Sequence, residues 1–388
     1  MRLLRPPPGC PCAGLRRDLA DRLARLRRAS RSLAGPGRTR ARGRLHPPRH
    51  AEARRARAGA PRSARAADRM DAVVSAPVAP SATPASGTLY LVDASMYVFR
   101  AWHSMPNEFH DTDGWPTNAV HGFARFLLEL LDRARPQHIA IAFDEALDSC
   151  FRNSIYPAYK ANRESAPEEL RRQFVHCRTL CAALGLAVLA HGEYEADDLI
   201  GSAVAASRAH GFRSVIVSAD KDLSQLLGDH DEQWDFAKGQ RWGAAGVPER
   251  HGVLAHQIAD YLALTGDAVD NIPGVPGIGS KTAAALLGHF GSLDALLERV
   301  EEVPFLRLRG AASTAAKLRL HREQALLCRQ LTTIALDAPL GETSLHFTRG
   351  NADAAILGSL CDSLRFGPMT RRRLYQSAGL DFAPSQAS

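Results

Sequence analysis

The chain has 388 residues, 45% of them apolar, enough for two domains with buried cores. No apolar run approaches 18 residues, the longest being CAALGLAVLA at 181–190, which excludes a membrane-spanning helix. The formal charge of +8 conceals an asymmetry: residues 1–69 carry 20 arginines and 4 acids, a net of +16, whereas residues 70–388 carry a net of −8.

The first 87 residues are rich in Arg, Pro and Ala and poor in aromatics, so they cannot bury enough surface to offset the entropy of ordering, and disorder is expected there. A basic arm for nucleic acid, an Arg-rich transit-like presequence and an extension from a start codon placed too early all fit. In the third case Met70 opens a shorter protein whose Pro/Ala/Ser linker leads into the first strand. Seven scattered cysteines without paired zinc spacing fit a reducing, cytoplasmic compartment.

Three short apolar runs follow, TLYLVD, HIAIAFD and SVIVSAD, ending at Asp93, Asp144 and Asp220. Each has the pattern of a strand buried on both faces. Helical stretches beginning at Thr117, Pro167 and Glu195 alternate with them, which predicts right-handed crossovers and a mostly parallel sheet flanked by helices, an α/β fold. Parallel strands gather their carboxyl ends on one edge, where such sheets place ligands.

One aspartate ending a strand is commonly a helix cap, but here three of three strands end so. More acids join them: Glu195, Asp197 and Asp198 in GEYEADDLI, Asp222 in ADKD, and Asp267 and Asp270 in GDAVD. Carboxylates crowded on one edge repel by several kcal/mol at an effective dielectric of about 20 unless cations lie among them. An all-oxygen set selects Mg2+, with Mn2+ as a substitute, over Zn2+. Two such ions about 4 Å apart suit phosphodiester hydrolysis.

An acidic body must still hold a polyanion. In NIPGVPGIGSKTAAALLG, glycines 274, 277 and 279 permit close backbone approach, Pro273 and Pro276 stiffen the loop, and Ser280 is placed to cap the next helix. Free amides at that helix start, with Lys281 beside them, suit phosphate. The helix HQIADYLALTG precedes the loop, giving helix, hairpin, helix. A basic island at 150–174 carries Arg152, Lys160, Arg163, Arg171 and Arg172 interleaved with Tyr156 and Tyr159, a composition suited to single-stranded nucleic acid. Lys160 and Arg163, three apart, can both aim at a reacting phosphate from an arch above the acids.

From about residue 88 to 335, the ordered motifs LVDASMYVFRAWH, PTNAVHGF, AFDE, YPAYKANR, EADDLI, SADKDLSQLL, GDAVDNIPGVPGIGSKTAAALL and LRGAASTAAKL resemble the 5′ nuclease (flap endonuclease) family. The resemblance is to the bacterial 5′-3′ exonuclease found as the N-terminal domain of DNA polymerase I and as free-standing proteins. It implies a PIN-like nuclease core at 88–255 with its arch at about 150–174, a helix-three-turn-helix DNA-binding region at 256–345 and a C-terminal tail region at 346–388. It implies metal-site roles for Asp93, Asp144, Glu195, Asp197, Asp198, Asp220, Asp222, Asp267 and Asp270, and catalytic roles for Lys160, Arg163 and Asp197. It further implies a K+ ion on the main-chain carbonyls of Leu264, Thr265, Pro273, Val275 and Ile278. DNA is expected at Arg152, Tyr159, Lys160 and Arg163 and at Gly277, Ile278, Gly279, Ser280, Lys281 and Thr282.

The implied activity is 5′-3′ exonuclease and flap endonuclease cleavage of DNA with 5′ ends or flaps, extending to RNA–DNA hybrids, by a monomer in replication and repair. A DNA-binding module without catalysis would require gaps in the acid set, and a PIN-type ribonuclease would lack the hairpin; the sequence has neither feature. The stretch ESAPEEL is more acidic than expected over single-stranded DNA. No counterpart is placed for the first 87 residues.

Overall fold

A computed structural model of the chain describes residues 87–145, 150–341 and 347–382. The expected disordered extension lies outside the described residues, apart from its last position. The first strand, β1 (Gly87–Asp93), is followed by α1 (Ala94–Ser104), α2 (Asn118–Ala134) and β2 (His138–Asp144). The short helix α3 (Phe151–Ile155), the long α4 (Glu168–Ala183), β3 (Ala187–His191), α5 (Ala196–Arg208) and β4 (Phe212–Val217) complete the alternating part. A hairpin, β5 (Glu232–Asp235) and β6 (Gln240–Gly243), closes the sheet.

The strand order is β3-β2-β1-β4-β5-β6, parallel throughout except for the antiparallel β5–β6 pair. β1 and β2 are buried runs because helices cover both their faces. Leu89, Leu91 and Ile216 belong to one apolar cluster, which also holds Leu199 and Ile200 of α5. Val92, Ile139 and Ile141 belong to a second, with Phe123 of α2 and Phe174 of α4.

Two features depart from the expected strand pattern. β4 stops at Val217, three residues short of Asp220, because Gln233 draws the following turn inward: its side-chain amide Nε2 donates to the carbonyls of Ser218 at 3.2 Å and Asp220 at 2.5 Å. The apolar run at 181–190 divides between the end of α4 and β3, with Gly185 at φ 71° turning the chain between them.

Beyond the sheet the chain is helical. α6 (Val247–His251), α7 (Ile258–Thr265), α8 (Ser280–Phe290), α9 (Leu293–Glu298), α10 (Ala311–Leu320) and α11 (Arg322–Thr332) share the first apolar cluster through residues such as Leu262, Leu286, Leu296, Leu318 and Leu331. The stretch expected only as a tail contains two helices, α12 (Ala354–Ser363) and α13 (Pro368–Ser377). They place Leu357, Leu360, Cys361, Leu364, Phe366 and Leu374 in the second cluster. Among the described residues no helix is long and apolar enough to cross a membrane.

Candidate active site at the carboxyl edge of the sheet

β1 and β2 are neighbouring parallel strands, so Asp93 and Asp144 emerge side by side. Asp93 also caps α1: its Oδ1 accepts the Met96 N–H at 3.1 Å and its Oδ2 the Ser218 hydroxyl at 2.8 Å. Asp144 accepts the Ala196 N–H at 2.7 Å, which fixes it against the start of α5. Asp220 accepts the N–H of Asp222 at 2.9 Å. Strand ends, a helix start and one turn thus bring Asp93, Asp144, Asp197, Asp220 and Asp222 to one place.

Their electrostatics record this crowding. Burial and then Asp144 push the Asp93 carboxyl from 3.8 up to about 7. Burial and then Asp220 push Asp222 up to about 7 as well. Asp144 is raised by burial and Glu195, and Asp197 is raised well above the usual carboxylate range by burial, Asp220, Asp93 and Asp144. Neighbouring acids that raise one another form a site short of positive charge.

The remaining acids have protein cations. Burial opposes ionisation of Glu195, but Lys160 and then Arg152 outweigh it and hold the carboxyl below its usual value. The Lys160 ammonium donates to Glu195 Oε1 and lies 3.8 Å from Asp270. Lys221 donates to Asp267 at 2.6 Å and lies 3.1 Å from Asp222, and it holds Asp267 below its usual value against the effect of burial. Asp270 is engaged by Arg163 at 2.5 Å and by the Tyr159 hydroxyl at 3.2 Å. Among the described residues no three His, Cys, Asp or Glu side chains close into a coordination shell as they stand. A donor set made of carboxylate oxygens, four of whose members are raised by burial and by neighbouring acids, nevertheless fits hard divalent cations.

The hairpin begins where α7 ends at Gly266. An antiparallel pair of main-chain hydrogen bonds between Asp267 and Ile272, at 2.9 and 2.8 Å, closes its base. Gly274, at φ 63°, packs so tightly on Gly266 that a Cβ there would collide with the Gly266 amide. The carbonyls of Leu264 and Val275 accept the N–H groups of Val275 and Ile278 at 2.9 and 3.0 Å. Gly277, Gly279, Ser280 and Lys281 are exposed.

A model of the 5′-3′ exonuclease N-terminal resolvase-like domain matches residues 88–252, and one of the 5′-3′ exonuclease C-terminal SAM fold matches residues 253–355. The chain belongs to the 5′-3′ exonuclease family. Among its relatives, DNA polymerase I of Rhizobium leguminosarum is 39% identical over 291 residues, 73% of this chain and 28% of that protein. DNA polymerase I of Pseudomonas aeruginosa is 44% identical over 253 residues, 65% of this chain and 28% of that protein. The chain therefore spans less than a third of the length of these relatives.

The exonuclease fold is also that of bacteriophage T5 5′-exonuclease, solved with divalent zinc ions bound. The TM-score is 0.53 at 20% identity, over 75% of this chain and 99% of that one. The catalytic core of Rad2, solved in complex with DNA, gives a TM-score of 0.51 at 14% identity over 75% and 91% of the two chains.

Several residues stand differently in this chain from what its sequence leads one to expect. Arg152, expected on DNA, is 2% exposed and forms a bidentate pair with Asp198. Asp198, expected on a metal, is fully buried beneath it. Tyr159, expected to stack on DNA, is 4% exposed, and its hydroxyl donates to Glu195 at 2.9 Å. Ile278 is a core side chain whose N–H is spent on Val275, so it has no amide left for phosphate. Ser280 is the first residue of α8 rather than its cap; Gly279 takes the cap position with no side-chain bond, which leaves the first-turn amides open.

Two lysines complete the site without having been singled out in the sequence. Lys221 joins the Asp222 turn to the hairpin, a role hidden inside SADKD. Lys317 of α10 brings its ammonium 3.5 Å from the Gly277 carbonyl. It lies within the motif LRGAASTAAKL, but its role beside the hairpin could not be read there, because α10 reaches the hairpin only through the tertiary fold.

Proposed function

We propose that this chain is a divalent-metal-dependent nuclease that hydrolyses DNA phosphodiester bonds at 5′ ends and 5′ flaps. The observation that carries the reading is the meeting of Asp93, Asp144, Asp197, Asp220 and Asp222, from separate parts of the chain, at the carboxyl edge of one parallel sheet. These residues, with Glu195, would hold two Mg2+ ions, or Mn2+ in their place. When bound, such ions act as Lewis acids on the attacking and departing oxygens.

The chain's own groups do the rest. Lys160 has a left-handed backbone at φ 55°, uncommon for a residue with a side chain and held here by its N–H bond to the Asp270 carbonyl. Its ammonium, with the guanidinium of Arg163, lies at the acid cluster and is placed to steady charge that develops on the phosphate. The open amides of α8, with Lys281 and Lys317, are placed to bind a duplex backbone without reading bases. A K+ ion on the Leu264, Thr265, Pro273, Val275 and Ile278 carbonyls would stiffen that hairpin. DNA complexes of proteins sharing this fold, such as the Rad2 core, support a DNA substrate. A cytoplasmic monomer is the form proposed.

The test is cleavage of a labelled 5′ flap in Mg2+ or Mn2+, with an RNA strand of the same sequence as competitor. Cleavage of the flap, lost in Asp197→Ala, is expected. No cleavage with either ion would refute the reading, and preferential cleavage of RNA would move the chain to a ribonuclease role.

A further inference from the structure

Arg152 lies at the foot of the arch, in the five-residue helix α3, and all five of its N–H groups are used inside the protein. Nε donates to the Leu331 carbonyl at 2.9 Å. Nη1 donates to Asp198 Oδ2 at 2.7 Å and to Glu195 Oε2 at 3.2 Å. Nη2 donates to Asp198 Oδ1 at 2.7 Å and to the Thr333 carbonyl at 3.0 Å.

Asp198 is equally occupied. Its Oδ1 also accepts the Ala335 N–H at 2.9 Å, and its Oδ2 the Glu195 N–H at 3.1 Å. Four donors fill the four acceptor positions of a carboxylate with no exposed surface, so no lone pair is left for an ion. The bond back to the Glu195 N–H is the N3 half of a capping box, which fixes how α5 begins. One turn of α5 therefore has two uses. Asp198 faces into the protein, and its neighbour Asp197, about 100° around the helix, faces the other acids.

We infer that Arg152 and Asp198 form a positioning pair, not ion ligands, which locks the start of α5 onto the arch foot and the 331–335 segment. Through that lock the pair aims Glu195 and Asp197 at the ion site. This rests on the nuclease reading and deepens it, since it removes one acid from the expected ligand set and assigns a helical-region segment to ion affinity. Arg rather than Lys is required, because only the planar fork reaches two carboxylates and two carbonyls together.

The pair is tested by titrating Mn2+ calorimetrically into the full chain and its Arg152→Lys, Asp198→Asn and combined variants, with no DNA present. Arg152→Lys keeps the buried charge balanced, so it is the variant best able to fold. Each single change is expected to weaken Mn2+ binding about tenfold, as loss of groups that orient ligands does. The combined variant is expected to be no weaker than the worse single. Flap cleavage by Arg152→Lys should lose kcat with KM unchanged. Unaltered Mn2+ affinity in Arg152→Lys beside a large loss in Asp198→Asn would make Asp198 a ligand and overturn the inference. So would effects that multiply in the combined variant. Failure of the wild-type chain to take up Mn2+ is a separate outcome, which overturns the nuclease reading and this inference with it.

Discussion

The main-chain N–H of Lys160 donates to the carbonyl oxygen of Asp270 at 3.0 Å, tying the arch to the hairpin loop. Two side chains repeat the tie: Asn271 Nδ2 donates to the Ala158 carbonyl at 2.6 Å and Asn162 Nδ2 to the Ala268 carbonyl at 2.9 Å. Three hydrogen bonds thus join residues more than a hundred positions apart in sequence. The proposed grip on the duplex and the proposed catalytic cation share one frame.

Asn271 tests that frame. Its backbone is left-handed at φ 57°, so Asn271→Gly removes the side-chain bond without adding backbone strain. Loosening the arch by a fraction of an ångström misaligns the reacting groups, and a loss of about tenfold in single-turnover flap cleavage is expected. Affinity for the same flap in Ca2+ should stay close to wild type. A drop in affinity with an unchanged rate would show that the tie serves binding instead.

Lys160 should behave as a group that acts mainly in the transition state. Its ammonium is held charged against the effect of burial by Glu195 and then Asp270, so it can meet developing negative charge without first gaining a proton. Lys160→Ala is expected to lower kcat by about 10²–10³, the usual cost of one preorganised electrostatic group. DNA affinity should change by less than about threefold, since phosphate contacts elsewhere carry most of the binding. Rapid-quench measurement at saturating enzyme separates the two quantities.

Much of this site was legible in the sequence, and the limits have physical causes. Asp93 and Asp144 could be read because strands buried on both faces give unbroken apolar runs that stop where the acid begins. Asp197 and Asp198 could not be told apart by residue type. The spacing of Glu195 and Asp198 held the clue, since an acid three residues after a helix cap often turns back to bond it. Arg152 reads in sequence like any member of a basic island, and only the 331–335 backbone, far along the chain, makes it a buried residue. β5 and β6 escaped notice because four-residue strands at a sheet edge leave little periodicity.

The acid cluster predicts how ions and protons compete. Asp93 and Asp222, pushed up to about 7 by burial and by neighbouring acids, retain their protons longer in the folded chain than in the unfolded one. A carboxyl raised on folding contributes stability that is complete below its unfolded value near 4 and is lost as pH rises through the folded value. Without ions, the melting temperature should therefore fall between about pH 4 and pH 7 through these groups. Divalent ions bind the ionised form, so the rise in melting temperature on adding Mn2+ should be larger at about pH 8 than at about pH 5. A rise independent of pH would place the ion elsewhere.

The C-terminal helices predict a loss of stability separable from catalysis. Phe366, between α12 and α13, is 3% exposed and meets the His121 ring edge-on at 4.6 Å between centroids, while its carbonyl accepts Arg371 Nε at 2.8 Å. His121 in turn stacks on Phe109 at 4.4 Å, so the Phe366 ring is one of the contacts that join the C-terminal helices to α2 and the loop before it. Phe366→Ala removes a buried ring and is expected to cost about 3–5 kcal/mol in urea unfolding. No carboxylate of the candidate site touches this contact, so flap cleavage well below the melting temperature should keep its wild-type rate. A cost under about 1 kcal/mol would mean that α12 and α13 open independently of the sheet, as a separate cooperative unit of low stability.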